Sequence, residues 1–293
     1  MANLKEVRTR IQSVKSTQQI TKAMKMVAAS KLRKAQDAIL QMRPYVKKLY
    51  GILENVTVSL KGDQKSEYSL DRDIEKVLIV VITSDRGLCG AFNTNAVKAG
   101  LNLIKEKYQA QEKNNQLWIL PLGNKSFDYF AKRNYQVIDN FYEIFGDLSF
   151  DKAKEAAEFA MQGFIEGDFD QVELVYNEFK NVATQILKTE QFLPIAKEEK
   201  EEIGSSTDYI FEPSVEFIIK EMIPRTLKVQ FYKAILESNA SEHGARMTAM
   251  DQATENAGDL LNDLRLVYNR SRQAAITNEI LEIVGGAEAL KNE

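Results

Sequence analysis

The sequence is poor in the groups that much side-chain chemistry and membrane insertion require. It has one cysteine, one histidine, one tryptophan and five prolines among 293 residues. Cys89 has no partner for an internal disulfide, which fits a reducing compartment, and no companion for a zinc site. With His243 as the only imidazole, the sequence assembles no nucleophile, base and oxyanion donor, and a lone helical histidine reads as a surface or seam residue. The longest purely apolar run, Val77–Ile82, is far too short to span a membrane. Charge is spaced through the first residues, MANLKEVRTRIQS, so no secretory signal is expected there. Any membrane contact would have to be borrowed from another subunit. So few prolines, with only fourteen glycines, argue against a disordered chain.

What the sequence does have is helical periodicity and an uneven charge distribution. The net charge of −3 conceals twelve Lys and Arg against three Asp and Glu in residues 1–60, a balance of +9 against −12 for the remainder. A basic segment on an acidic chain suggests an acidic protein partner. Some of those cations can simply snorkel beside a helical seam. Nucleic acid is not expected, because the whole chain is acidic and no aromatic interleaves the basic stretch before Tyr45.

In that basic stretch Leu4, Val7, Ile11, Val14, Gln18, Thr21, Lys25, Ala28, Leu32, Ala35, Ile39, Met42, Val46, Leu49, Leu53, Val56 and Leu60 follow one another at steps of three and four. That is the 3.5-residue repeat of a helix that supercoils with a partner helix. Only Gln18, Thr21 and Lys25 interrupt its apolar character, and they fall together. Pro44 is expected to bend the helix without ending it. A second repeat, Met250, Ala253, Ala257, Leu260, Leu264, Val267, Ser271, Ala274, Asn278 and Leu281, is expected to end at Gly285-Gly286, with a kink at Pro224.

Between the two repeats the pattern alternates strand and helix. Strands are read at Lys76–Ile82, Gln116–Leu122, Tyr135–Ile138, Gln171–Tyr176 and Thr184–Phe192, the last antiparallel. Helices are read at Ala91–Gln111, Asn124–Arg133 and Asp151–Ile165. This predicts an α/β fold with a mostly parallel, Rossmann-like sheet covered on both faces. The expected organisation is an N-terminal coiled-coil helix over 1–60, the α/β domain over 74–195, a linker and foot over 196–212, and a C-terminal coiled-coil helix over 213–287. The turn Asp85–Gly90 follows a strand and precedes a helix, but lacks phosphate-loop spacing and reads as a tight connection. No cofactor or metal is expected.

Because both helices leave the same compact domain, they should pair antiparallel, with facing residue numbers adding to about 272. The C-terminal helix then overhangs by about a dozen residues, nearly 20 Å at about 1.5 Å each. Ile276, Ile280, Leu281, Ile283 and Val284 in that overhang would need cover from another protein.

Three blocks carry a family resemblance. They are Ile20–Lys34 (ITKAMKMVAASKLRK), Ser84–Asn93 (SDRGLCGAFN), and Glu242–Met250 (EHGARMTAM) with Leu266–Ile280 (LVYNRSRQAAITNEI). In content and order they resemble the gamma subunits of bacterial F-type ATP synthases. The resemblance implies a rotating central shaft with no catalytic site of its own, coupling proton flow to ATP synthesis or hydrolysis. Its coiled coil would sit within a head of three alpha and three beta subunits, and the α/β domain would meet the epsilon subunit and the c-subunit ring. Such a subunit is peripheral, on the cytoplasmic face of the cell inner membrane. The resemblance further implies beta-subunit contacts at Lys22, Met24, Lys25, Arg246, Arg272, Gln273 and Thr277, and c-ring contacts at Tyr209, Phe211 and Glu212. Where the family often carries an acidic residue, this chain has Lys25. A nucleotide-binding enzyme with helical arms and a static coiled-coil tether are the competing readings.

Overall fold

The computed structural model describes residues 4–59, 67–70, 72–195 and 215–291. The chain divides into two compact units, residues 1–27 with 247–293 and residues 28–246. Two long helices, α1 (Leu4–Ser59) and α6 (Val215–Lys291), contribute to both. Lys197–Glu202 and the expected foot residues Tyr209, Phe211 and Glu212 lie outside the described residues.

In the larger unit, β1 (Val77–Ile82), β2 (Leu117–Leu122), β3 (Gln136–Val137), β4 (Gln171–Phe179) and β5 (Gln185–Leu193) form one sheet in the order β3-β2-β1-β4-β5. Every pairing is parallel except β4 with β5. Because side chains alternate along a strand, β1 feeds two cores. Leu78, Val80 and Ile82 face a cluster with Phe164, Phe192, Leu227 and Phe231, while Val77, Ile79 and Val81 face Val97, Ile104, Tyr108 and Phe130. The first core is covered by α5 (Phe150–Glu166) and α6, and the second by α2 (Phe92–Lys107) and α4 (Asn124–Ala131). Long helices at both ends and a mostly parallel sheet between them make up the architecture read from the sequence.

Local chemistry sets the element ends. The Ser149 hydroxyl accepts a hydrogen bond from the Lys152 N–H to start α5, and Gly167, left-handed at φ 79°, closes it. At that end Arg72 adds a bond to Phe164 O at 2.9 Å, and Lys76 takes up Gly167 O at 3.1 Å.

Beyond shifts of one or two residues at element ends, three elements differ from expectation. The helix read over Ala91–Gln111 divides at Tyr108, with α3 at Gln109–Lys113. Tyr108 is drawn into the second core, where its hydroxyl donates to Glu173 at 2.7 Å. α6 does not stop at Gly285-Gly286 but continues to Lys291, because glycine permits a helix end without imposing one. β4 also runs three residues further than expected, to Phe179. Pro44 and Pro224 lie inside their helices without ending them, as expected.

Candidate functional site: a polar-stitched helix pair and the 84–90 turn

In the smaller unit, α1 and α6 run antiparallel. Thr21 and Thr254 share a hydroxyl hydrogen bond of 2.8 Å, Gln18 Nε2 donates to Thr254 O at 3.4 Å, and Lys25 Nζ pairs with Asp251 at 2.5 Å. The three polar interruptions of the first stripe therefore meet a polar stretch of the second helix. Polar seam positions select a register where apolar ones tolerate several.

Facing residues add to between 272 and 276, in keeping with the antiparallel register of about 272 read from the ends of the helices. The phase of α6 is corrected. Met250, Thr254, Ala257, Leu261, Leu264, Tyr268, Ser271 and Ala275 are buried or half-buried, whereas Leu260 and Val267 are 40% and 43% exposed. The two phases share every second seam position and differ by one residue at the others. Adjacent Leu260 and Leu261 made them equivalent in hydrophobicity. The first stripe needs no such correction, since every member from Leu4 to Leu49 is buried or half-buried.

With this register Leu4 faces about residue 271, and α6 continues for about 20 residues beyond, roughly 30 Å. On that extension Ile276, Ile280, Leu281, Ile283 and Val284 are between 48% and 71% exposed. Lys22 is exposed, Met24 is half-buried, and Arg272, Gln273 and Thr277 are exposed on the overhanging helix. Thr277 Oγ1 donates back to Gln273 O at 2.9 Å. Lys25 is partly engaged by Asp251, a residue that sequence reasoning did not single out. The signal was available in the clustering of Gln18, Thr21 and Lys25, which calls for a polar partner.

In the larger unit, the turn after β1 is tightly tied. Ser84 N donates to Asn93 Oδ1 at 2.9 Å, Asn93 Nδ2 donates to Ser84 Oγ at 2.8 Å, and Ser84 Oγ donates to Arg86 O at 2.7 Å. Leu88, held left-handed at φ 66°, stands 64% exposed at its tip. Cys89 is buried beneath, and burial pushes its thiol above the usual range, the opposite of an activated nucleophile. Arg246 is engaged inside the chain. It donates to Arg86 O at 3.0 Å and to Gly87 O, and pairs with Glu242 at 2.6 Å, with both side chains about nine-tenths buried. Burial raises the Glu242 carboxyl, opposed by Arg246 and Lys31.

His243 is buried, not at the surface. Burial, reinforced by the Lys31 and Arg246 cations, lowers it to about 4. It is therefore neutral at pH 7, and its 3.8 Å approach to Glu242 is not an ion pair. The unfolded chain takes up this proton near pH 6.5 and the folded chain only near 4, so the stability contribution is complete above 6.5 and lost as pH falls towards 4. His243→Gln should flatten that part of the pH–stability curve in urea melts. A slope between pH 6.5 and 4 identical to that of the unaltered chain would rule it out.

The smaller unit holds a long helix pair with an exposed apolar extension, and the larger unit holds a sheet covered on both faces. The profile of the family described as ATP synthase matches residues 3–290, and similar relatives are ATP synthase gamma chains. The chain belongs to the ATP synthase gamma-chain family. It is 57% identical over 295 residues to the ATP synthase gamma chain of Cytophaga hutchinsonii, with both chains covered in full. It is 54% identical over 291 residues to that of Flavobacterium psychrophilum, covering 99% of this chain and all of the relative. Among solved structures it shares the fold of a chain in the Euglena gracilis mitochondrial ATP synthase OSCP/F1/c-ring assembly. That match has a TM-score of 0.67 at 22% identity and covers 98% of this chain and 94% of the other.

Proposed function

We propose that this chain is the rotating central shaft of an F-type ATP synthase, passing torque between a membrane ion-driven ring and the ATP-handling head, and that it carries no catalytic site of its own. The observation that supports this most directly is the one-sided extension of α6, apolar and uncovered beyond the end of α1, in a chain of this family. A helix pair with different faces around its circumference presents unlike surfaces to three surrounding sites, and differential contact is what can set unlike affinities. The surrounding partners are three alpha and three beta subunits, with the epsilon subunit and the c ring at the other end. Among the described residues no helix is long and apolar enough to cross a membrane, so attachment at the cytoplasmic face of the inner membrane would be peripheral and through those partners.

Lys22, Met24 and Lys25, with Arg272, Gln273 and Thr277 on α6, form the proposed beta-subunit contact. Arg246 belongs to the same proposed contact, with its guanidinium held in place by the 84–90 turn and Glu242. Tyr209, Phe211 and Glu212 form the proposed c-ring contact.

A reversible disulfide between the coiled coil and a beta subunit distinguishes shaft from tether. Turnover of the assembly should stop on oxidation and return on reduction, and turnover indifferent to the crosslink favours the tether. Reversing Lys22 to Glu should impair coupling in the assembly while leaving the chain's melting temperature nearly unchanged, since exposed charges contribute little to folding. Lys25→Glu should add a modest weakening of the helix pair by facing Asp251 with a like charge. Normal coupling in folded, assembled Lys22→Glu complexes would remove Lys22 from the contact.

A further inference from the structure

The sheet order reverses between β1 and β4, and in open α/β sheets the crevice beyond the strand ends at such a point is where a ligand binds. Here that crevice is occupied by the chain's own α6. Glu237 Oε2 accepts from the Phe179 N–H at 3.1 Å, and Ser241 Oγ donates to Asn177 O at 3.0 Å, both at the end of β4. One helical turn further on, Arg246 bonds the carbonyls of Arg86 and Gly87 in the turn after β1. Glu237, Ser241 and Asn177 are all at least 96% buried. The contacts bracket the sheet end on both sides, and every residue in them lies in the 28–246 unit.

Stability alone does not account for so much polarity. Four buried side-chain polar atoms among the described residues lack a hydrogen-bond partner. Three of these, Asn177 Nδ2, Ser238 Oγ and His243 Nδ1, lie in this stretch or on the strand end it touches. An unsatisfied buried polar group costs about 1–3 kcal/mol, so an apolar seam would hold the helix at least as well against unfolding. Apolar packing is non-directional, whereas hydrogen bonds and a forked guanidinium on two carbonyls resist sliding and turning about one axis.

We infer that residues 237–246 of α6 form a clasp that locks the helix rotationally to the sheet, so that turning the α/β unit turns the shaft helix without slip. The clasp rests on the shaft reading above. Glu237 and Ser241 are positioning residues in it, and Arg246 is the anchor on the opposite side of the crevice.

The test uses the whole ATP synthase carrying this chain, reconstituted into lipid vesicles, and reads ATP-driven proton uptake per ATP hydrolysed. Proton uptake by the unaltered complex supports the shaft reading, and its absence overturns shaft and clasp together. Given that uptake, E237A/S241A should lower the ratio by on the order of tenfold, as expected from losing two buried hydrogen bonds, while hydrolysis persists. E237Q/S241T keeps an acceptor and a hydroxyl at the same places and should restore the ratio, a recovery that a purely space-filling role would not require. If the alanine pair does not assemble, S241A alone is read in the same way. An alanine variant that assembles and pumps with the normal ratio overturns the clasp and leaves the shaft standing. So does an E237Q/S241T ratio as low as that of the alanine pair.

Discussion

Replacing Phe231 with alanine should destabilise the α/β unit by about 3–5 kcal/mol, among the larger effects a single truncation gives. Phe231 is fully buried on α6, with its ring centroid 5.5 Å from that of Phe192 on β5. Leu227, Ala234 and Ile235 from the same helix complete that wall of the core. The sheet face it covers is lined by Leu78, Val80, Ile82, Leu120, Val172 and Leu174, none of which touches water. Removing the ring therefore loses its transfer free energy and leaves a cavity between a helix and a sheet, two surfaces that collapse poorly onto each other. Urea denaturation of the full chain, followed by the fluorescence of Trp118, measures this directly. A loss under about 1 kcal/mol would mean that α6 is not an integral layer of this core.

Gly123→Ala should be of similar size for a different reason, about 2–5 kcal/mol when steric overlap and backbone strain act together. Gly123 sits between the end of β2 and the start of α4 at φ 110°, a region that side-chain-bearing residues rarely adopt. A Cβ there would stand 2.4 Å from the Thr83 carbonyl oxygen, a backbone atom that cannot rotate away. Relieving the overlap would pull on the Gly123 N–H bond to Tyr142 O and on the bond between Thr83 Oγ1 and Ser126 Oγ, each 2.9 Å. Thr83 leads directly into the 84–90 turn, so the disturbance should reach Arg246 as well. The same urea series, with Gly100→Ala as a milder control at 3.4 Å from the Val81 side chain, separates strain from crowding. Equal losses in the two variants would show that the left-handed backbone at position 123 contributes nothing of its own.

Both predictions concern the layer in which α6 belongs to the sheet unit, and this bears on function. The same stretch is held by apolar burial at Phe231–Ile235 and by directed polar contacts at Glu237–Arg246. The first kind of contact decides whether the unit folds. The second decides whether the helix can turn within it. A Phe231 variant should lose stability with coupling per folded complex intact, the reverse of what is expected at Ser241.

Much of the molecule was determined by local pattern alone. The three-and-four stepping from Leu4 to Leu49 marks a helix by its period, while the run at Val77–Ile82 and the alternation through Phe192 mark strands and helices by length, β-branching and flanking turns. Those features specify the N-terminal helix and a mostly parallel sheet without reference to anything distant. Tertiary structure decided what depends on residues far apart in the chain. Thr21 meets Thr254 and Lys25 meets Asp251, and these pairs set the register and the burial of Leu261 in place of Leu260. Arg246 finds partners within the chain at Arg86 and Gly87, far from it in sequence. His243 is buried by its surroundings and not by any property of its neighbours in sequence. The physical reason is one of range. Hydrophobic periodicity says which face of an element must be covered, but the covering partner, and the single offset at which polar groups match, exist only once distant segments are brought together.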